Sequence, residues 1–532
     1  MASRTEFIRH RFDGGWNVAM GPSADLTADA SGTAQIPFLL KAENCGFELN
    51  GAPHKFPGTE KLHTVSLGSP IRGIHDYWRM GTAGAPEQHR VIVHGTSIAD
   101  DDGDGVWNGF YGTLASATTV PSFAQLDDSL IIFDDDIGGA VTPRSWTGAA
   151  TALITKPVSA TTLMFGETHK NRLFAAGDIA NPSRLYWSDF LDFTNWTAVF
   201  PADGGFLDIN LGDGDQITAI ASHKGELIIF KGPNRGSIHR LVGTSSSDFT
   251  LSPVPFTTGV GAVWQNSLFR FRDDLGFVWS DGTVRSMNAT DRYGDYAEVS
   301  LSKDIDPWIR DNVNTAALKT AWADTSTTAS AVYIAVPTGA STVPNTVLYM
   351  DFRFPVPRWS HMTNVFPVQS LAEVIDPDDK NKRKMMFGGP DGFVRKHGRS
   401  ERTVDANTAI PMVVDLPHLS YIDPFTMKSI TTATMGVRSE GSNHSATMTI
   451  RSDEGWTRDY TVLQGGGDKL DVDFILDSSI LGGSLYQERW IENTDGEFRT
   501  VQYGFSNAQQ GQDLELHSFG VALQPNADST EQ

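Results

Sequence analysis

The sequence holds one cysteine, Cys45, in 532 residues, which excludes an intramolecular disulfide and any zinc cluster built on cysteine. A lone thiol with no catalytic context reads as a small buried residue. Long apolar runs are missing as well. Runs such as Ala331 to Val336 and Ile131 to Phe133 fall far short of the roughly 20 residues that a bilayer crossing needs. The opening Met1-Ala-Ser-Arg-Thr-Glu-Phe-Ile-Arg-His10 carries charge with no apolar stretch behind it, so no cleaved secretory leader is expected. Positive charge is scarce: 42 Lys and Arg stand against 64 Asp and Glu, a formal net charge of −22. That argues against a clamp on nucleic acid, which rests on neutralised phosphates. It suits a large soluble protein, or a passage whose walls repel nucleic acid.

Helical periodicity is equally scarce, because β-branched residues, glycine and proline interrupt nearly every window. What recurs is a pair of short strands joined by a Gly or Asp turn. Ser129-Leu-Ile-Ile-Phe133, Asn171-Arg-Leu-Phe-Ala175, Glu226-Leu-Ile-Ile-Phe230, Ser267-Leu-Phe-Arg-Phe271, Val332-Tyr-Ile-Ala335 and Lys384-Met-Met-Phe387 follow Arg90-Val-Ile-Val-His94 at intervals of roughly 40 to 65 residues. The expectation is an all-β chain with a β-propeller of about seven blades, six to eight being compatible, over residues 69–400. Residues 1–68, rich in Gly, Ala, Asp and Thr, read as an N-terminal arm. Beyond the connector Arg399 to Thr403 the alternation returns without the repeat, as in Thr447-Met-Thr-Ile450, Leu470-Asp-Val-Asp-Phe474 and Thr500-Val-Gln-Tyr-Gly504. A C-terminal β-sandwich with a short tail is expected over 401–532.

No constellation of residues outranks a structural reading. Asp100-Asp-Asp-Gly-Asp-Gly105 begins like a calcium loop, but Tyr111 stands where a bidentate Glu is needed. An acidic hairpin turn is expected there, with no metal held by Asp100 to Asp104 and little loss of stability when Asp100, Asp102 and Asp104 become alanine. Asp134-Asp-Asp136 and Gly212-Asp-Gly-Asp215 read as similar turns. Gly465-Gly-Gly467 lacks the Lys-Ser/Thr ending of a phosphate loop. Fourteen histidines are scattered singly, without the spacing of a zinc hydrolase. No catalytic residue, cofactor site or metal site is assigned, and the chain is expected not to be an enzyme. A propeller can still carry glycosidase carboxylates on different blades, which spacing does not reveal. Ser280-Asp-Gly-Thr283 and Ser452-Asp-Glu-Gly-Trp456 only approximate a sialidase turn. The alternative reading is therefore a propeller glycosidase or depolymerase, or a carbohydrate-binding protein, acting on host-surface polysaccharide.

Several phrases resemble those of bacteriophage tail nozzle or tail tubular proteins of short-tailed phages. They are Asn171-Arg-Leu-Phe-Ala-Ala-Gly-Asp178, Asn181-Pro-Ser-Arg-Leu-Tyr-Trp-Ser-Asp189, Asp192-Phe-Thr-Asn-Trp196, Gly212-Asp-Gly-Asp-Gln-Ile-Thr218 and Thr258-Gly-Val-Gly261. Phe12-Asp-Gly-Gly-Trp-Asn17, Pro57-Gly-Thr59 and Val501-Gln-Tyr-Gly-Phe-Ser-Asn507 resemble the opening and closing phrases of the same group. The resemblance implies a structural virion protein, made in the host cytoplasm. It implies a ring of about six copies that extends the DNA channel below a head-to-tail adaptor, lets double-stranded DNA pass without sticking, and docks fibres or spikes.

Overall fold

The computed structural model describes residues 6–525 apart from 13, 22–37, 82–83, 104–105, 110, 136–141, 149–150, 154–155, 158, 255–258, 288–299, 364–367, 377–378, 380–381, 400–402, 406–407, 422–424, 440–443, 465–484 and 493–495. Gly465 to Gly467, Asp104, Asp136 and the expected strand Leu470 to Phe474 lie outside the described residues.

The repeated strand pairs form seven antiparallel units. Unit one is Ile71–Met80, Pro86–His94 and Ser97–Asp101. Unit two is Ser122–Leu126, Ser129–Phe133, Arg144–Trp146 and Ala152–Leu153. Unit three is Phe165–His169, Arg172–Ala176, Arg184–Trp187 and Gly205–Asp208. Unit four is Gln216–His223, Glu226–Gly232, Ser237–Val242 and Thr250–Pro253. Unit five is Leu268–Phe271, Asp274–Val278 and Val284–Ser286. Unit six begins with Trp322–Ser326, Ala331–Val336, Thr346–Asp351 and Arg358–Met362. Unit seven begins with Ser370–Ile375, Arg383–Gly388 and Val394–Arg399.

Local sequence explains the units. In units two, three and four the first hairpin turns over two residues with positive φ: Asp127 and Asp128, Lys170 and Asn171, Lys224 and Gly225. Such turns match the right-handed twist of the flanking strands. The strands that follow, Ser129–Phe133 and Arg172–Ala176, are buried along their whole length, as is Ala331–Val336. Burial on both faces is why they read as continuous apolar runs. Neighbouring units share apolar cores: Tyr77, Val91 and Val93 of unit one meet Leu130 and Ile132 of unit two, and Ile71 and Ile74 of unit one meet Val374 and Met386 of unit seven.

The expected β-propeller with an added β-sandwich domain and an N-terminal arm is corrected by the sheet topology. The sheets are small and antiparallel in the main, and none closes into a barrel or curls strongly as a propeller does. Two units do not stand alone. Unit six runs on through Lys41–Glu43, Met412–Asp415, Val501–Asn507, His444–Ser452 and Thr457–Gln464 into a sheet of nine strands. Unit seven runs on through Gly58–Lys61, Thr403–Val404 and Thr408–Ala409. An eighth sheet joins both ends of the chain, pairing Glu6–Arg11 and Pro53–Lys55 with Glu515–Pro525, which also pairs with Lys428–Ser439.

The physical reason is edge coverage. An edge strand exposes unpaired N–H and C=O groups, and the outer strand of unit six is covered by Lys41–Glu43 in parallel, Glu43 opposite His361. Asn44, fully buried with φ of 54°, stitches this seam. Its side chain donates to the carbonyls of Pro411 (2.7 Å) and Thr363 (3.1 Å) and accepts from the N–H of Thr363 (3.0 Å). Buried Lys55 donates to Asn507 Oδ1 (2.7 Å) and the Gln509 carbonyl (2.9 Å). Trp16, also buried, donates its indole N–H to the Leu40 carbonyl (3.0 Å) and packs on Trp308 and His361.

Candidate functional site

The acidic turns singled out in the sequence are structural. Asp100 and Asp101 are not presented to solvent: both are buried on the third strand of unit one. His89 Nδ1 lies 2.7 Å from Asp100 Oδ2. Arg90 reaches Asp101 Oδ2 through Nε (3.0 Å) and an Nη (2.8 Å), and His63 Nε2 approaches the same oxygen at 3.2 Å. Burial by itself raises the Asp101 carboxyl, but His63 and Arg90 outweigh it and hold the group below its ordinary value. Asp102 is exposed. Among the described residues no group of three or more His, Cys, Asp or Glu side chains is placed to hold a metal ion.

The other turns follow the same logic. Asp134 accepts from the Ala115 N–H (2.6 Å) and the Thr119 hydroxyl, while Asp135 accepts from the Val120 N–H and pairs with Lys319, each at 2.7 Å. Asp213 pairs with the buried Lys231 at 2.7 Å. Asp215 accepts three backbone N–H groups, from Asn234, Arg235 and Gly236, at 2.7 to 2.9 Å. Asp281 caps its own turn through Thr283. Cys45 is buried, and burial, with Glu43 nearby, pushes its thiol well above the ordinary value, so it is no nucleophile at neutral pH.

A cavity of about 500 Å³ brings together side chains that spacing did not connect: His75, Glu167, Arg270, Asp324, Glu373 and Arg383. All but Arg383 sit on the first strands of units one, three, five, six and seven. A charged residue inside a short first strand was the available signal. Burial pushes the Asp324 carboxyl up to about 6 and raises Glu167. The carboxylates are nevertheless engaged. Asp324 accepts from the N–H groups of Thr325 and Glu373 (both 2.8 Å), Glu373 accepts from the Thr327 N–H (2.6 Å), and Glu167 pairs with Arg270 at 3.3 Å. All but the Thr325 bond run from unit to unit and act as braces.

The segment between the third and fourth strands of unit three, residues 188–204, has another character. It carries the phrase Asp192-Phe-Thr-Asn-Trp196 and exposes Phe190, Leu191, Val199 and Phe200, the last two 76% and 93% accessible. It is held stiffly. Asp189 donates its N–H to the Asn195 carbonyl (2.8 Å) and accepts at its carboxylate from the N–H groups of Phe190 (2.8 Å) and Asp203 (3.2 Å). Buried Arg172 donates to the carbonyls of Ser188 (3.1 Å) and Asp203 (3.0 Å) and to the Asp203 carboxylate (2.6 Å). Trp196 anchors the loop in the core shared with Leu173 and Tyr186. The tip is closed by Ala202 N–H to Val199 O (3.0 Å) and Gly204 N–H to Thr197 O (2.9 Å). Gly204 is required there, since a Cβ would stand 2.6 Å from the Trp196 carbonyl carbon.

No protein-family model and no curated protein matches the chain. Among solved structures it is similar to a streptogramin B lyase, at 11% identity and a TM-score of 0.36 over 64% of this chain and 96% of the other. It is likewise similar to BBS1N from a complex with ARL6DN, at 9% identity and a TM-score of 0.39 over 65% of this chain and 96% of the other. What fold and surfaces define is an all-β protein of several small sheets. The expected ring-forming tail nozzle is corrected with the fold: among the described residues no sheet closes as a propeller would, no ring-forming architecture is seen, and strands from both ends of the chain are woven into units six and seven. The glycosidase and carbohydrate-binding alternative rested on the same propeller pocket and falls with it.

Proposed function

We propose that this chain is a non-catalytic scaffold that works by docking another protein, with the loop 188–204 as the docking element. The observation that carries this reading is a stiffened loop presenting four large apolar side chains. A monomeric surface exposes such residues singly, and a rigid aromatic projection loses little entropy on binding and makes an efficient anchor. The acidic turns support the reading, because their carboxylates hold loops in place.

The test is substitution of Val199 and Phe200 together by serine in full-length chain purified from the cells that make it. Proteins that co-purify in defined ratio with the wild type are expected to be lost, with melting unchanged within about 2 °C, as surface changes have small effects on stability. Retention of every partner by the double variant contradicts the assignment.

A further inference from the structure

A second pocket, of about 370 Å³, lies where the segment 48–57 meets units six and seven. Its inner wall is aromatic. Tyr333 and Tyr349 are opposite each other on adjacent strands, their rings 5.2 Å apart, and Phe56 packs edge-on against Tyr349 at 4.9 Å. Arg353, Lys382, Arg383 and Lys384 also line it. Several cations converging on one pocket are unusual in a chain of net charge −22.

Two features leave donors available in the pocket. Tyr333 and Tyr349 are 3% and 4% accessible, yet neither hydroxyl bonds to a described residue. Burial raises both phenols well above their ordinary value, so they stay protonated and able to donate. Both tyrosines line the pocket, and a phenol O–H there can donate to a ligand oxygen. The cations are not equivalent. Arg353 is taken up by Asp351 (2.7 Å) and the Phe47 carbonyl, Lys382 by Asp379 (2.9 Å), and Arg383 lies 3.8 Å from Glu373. Lys384 forms no ion pair with a described residue, and its Nζ lies 3.1 Å from where a Cβ on Gly398 would stand. The carboxylate among the lining residues, Glu48, has His54 Nδ1 at 3.3 Å.

We propose that this pocket binds a small organic anion, a carboxylate or phosphate monoester carried on an aromatic or aliphatic body. The oxyanion accepts from the Tyr333 and Tyr349 hydroxyls and meets Lys384, and the body packs on Phe56 and Met385. The volume suits a small ligand, and a hydrogen bond to a charged acceptor is the strong kind.

Calorimetric titration of the full chain with phenyl phosphate, benzoate and inorganic phosphate tests it. Phenyl phosphate or benzoate is expected to saturate one site with a Kd below about 1 mM, and inorganic phosphate, having no body to pack, to bind at least about tenfold more weakly. Lys384→Ala, and separately Tyr333→Phe with Tyr349→Phe, are expected to weaken that binding about tenfold, whereas Lys224→Ala leaves it unchanged. Absence of saturable binding by both organic probes overturns the proposal. So does binding that the Lys384 and double-tyrosine variants retain, or inorganic phosphate binding as tightly as phenyl phosphate.

Discussion

Charged side chains inside unit one behave as structure. Arg90 and Asp101 form a fully buried pair, and removing one partner of such a pair leaves an uncompensated charge at a cost of about 3–5 kcal/mol. Asp101→Asn is expected to lower melting strongly, and chemical denaturation measures it; a loss under about 1 kcal/mol contradicts the pairing. Asp100, Asp102 and Asp104 replaced together by alanine are expected to destabilise too, contrary to the reading from sequence, because Asp100 is buried against His89. A run of four aspartates within five positions looks solvated in a string of letters. Strand alternation turns Asp100 and Asp101 to opposite faces, and partners on other strands make both faces interior. Buried histidine sets the pH response. Burial takes His169 from 6.5 down to about 4, so between these values the unfolded chain holds the extra proton and stability rises with pH. That contribution is complete above about 6.5 and is lost as pH falls toward 4, at up to about 1.4 kcal/mol per unit. Melting measured from pH 7 to 4.5 is expected to fall less steeply in His169→Gln than in the wild type, and equal slopes contradict this.

At the scale of elements, the seven strand pairs were legible because two-residue turns and fully buried runs leave local marks. Ser129–Phe133 and Arg172–Ala176 lie where the apolar runs predicted them. The weaving was not legible, since nothing in Lys41-Ala-Glu43 names Arg358–Met362 as its partner; the pairing is set by which edge remains uncovered. The loop 188–204 was visible as a phrase and not as a surface, because exposure of Phe200 depends on Arg172 and Trp196 holding the segment outward. The seam makes a sharp expectation. Asn44→Ala removes three side-chain hydrogen bonds between distant segments and is expected to cost about 2–4 kcal/mol. A fragment of residues 69–400 loses Lys41–Glu43 and Gly58–Lys61 from its sheet edges and is expected to melt more than about 10 °C below the full chain or to aggregate. Circular dichroism on heating checks both, and a fragment as stable as the whole contradicts the role given to the seam.

For the whole molecule, the charge of −22 bears on partners. Binding to double-stranded DNA at physiological salt is expected to be weaker than about 10⁻⁴ M, and a gel shift or anisotropy titration showing tighter, steeply salt-dependent binding contradicts it. A protein partner for the loop 188–204 is the expectation instead. Photocrosslinking tests that claim most directly: a benzoylphenylalanine is placed at position 200, and in a control chain at the exposed Val65, in the cells that make the protein. We predict a discrete adduct with one partner protein from position 200 and none of that mass from position 65. No adduct at 200, or the same adduct from both positions, contradicts the docking role of the loop.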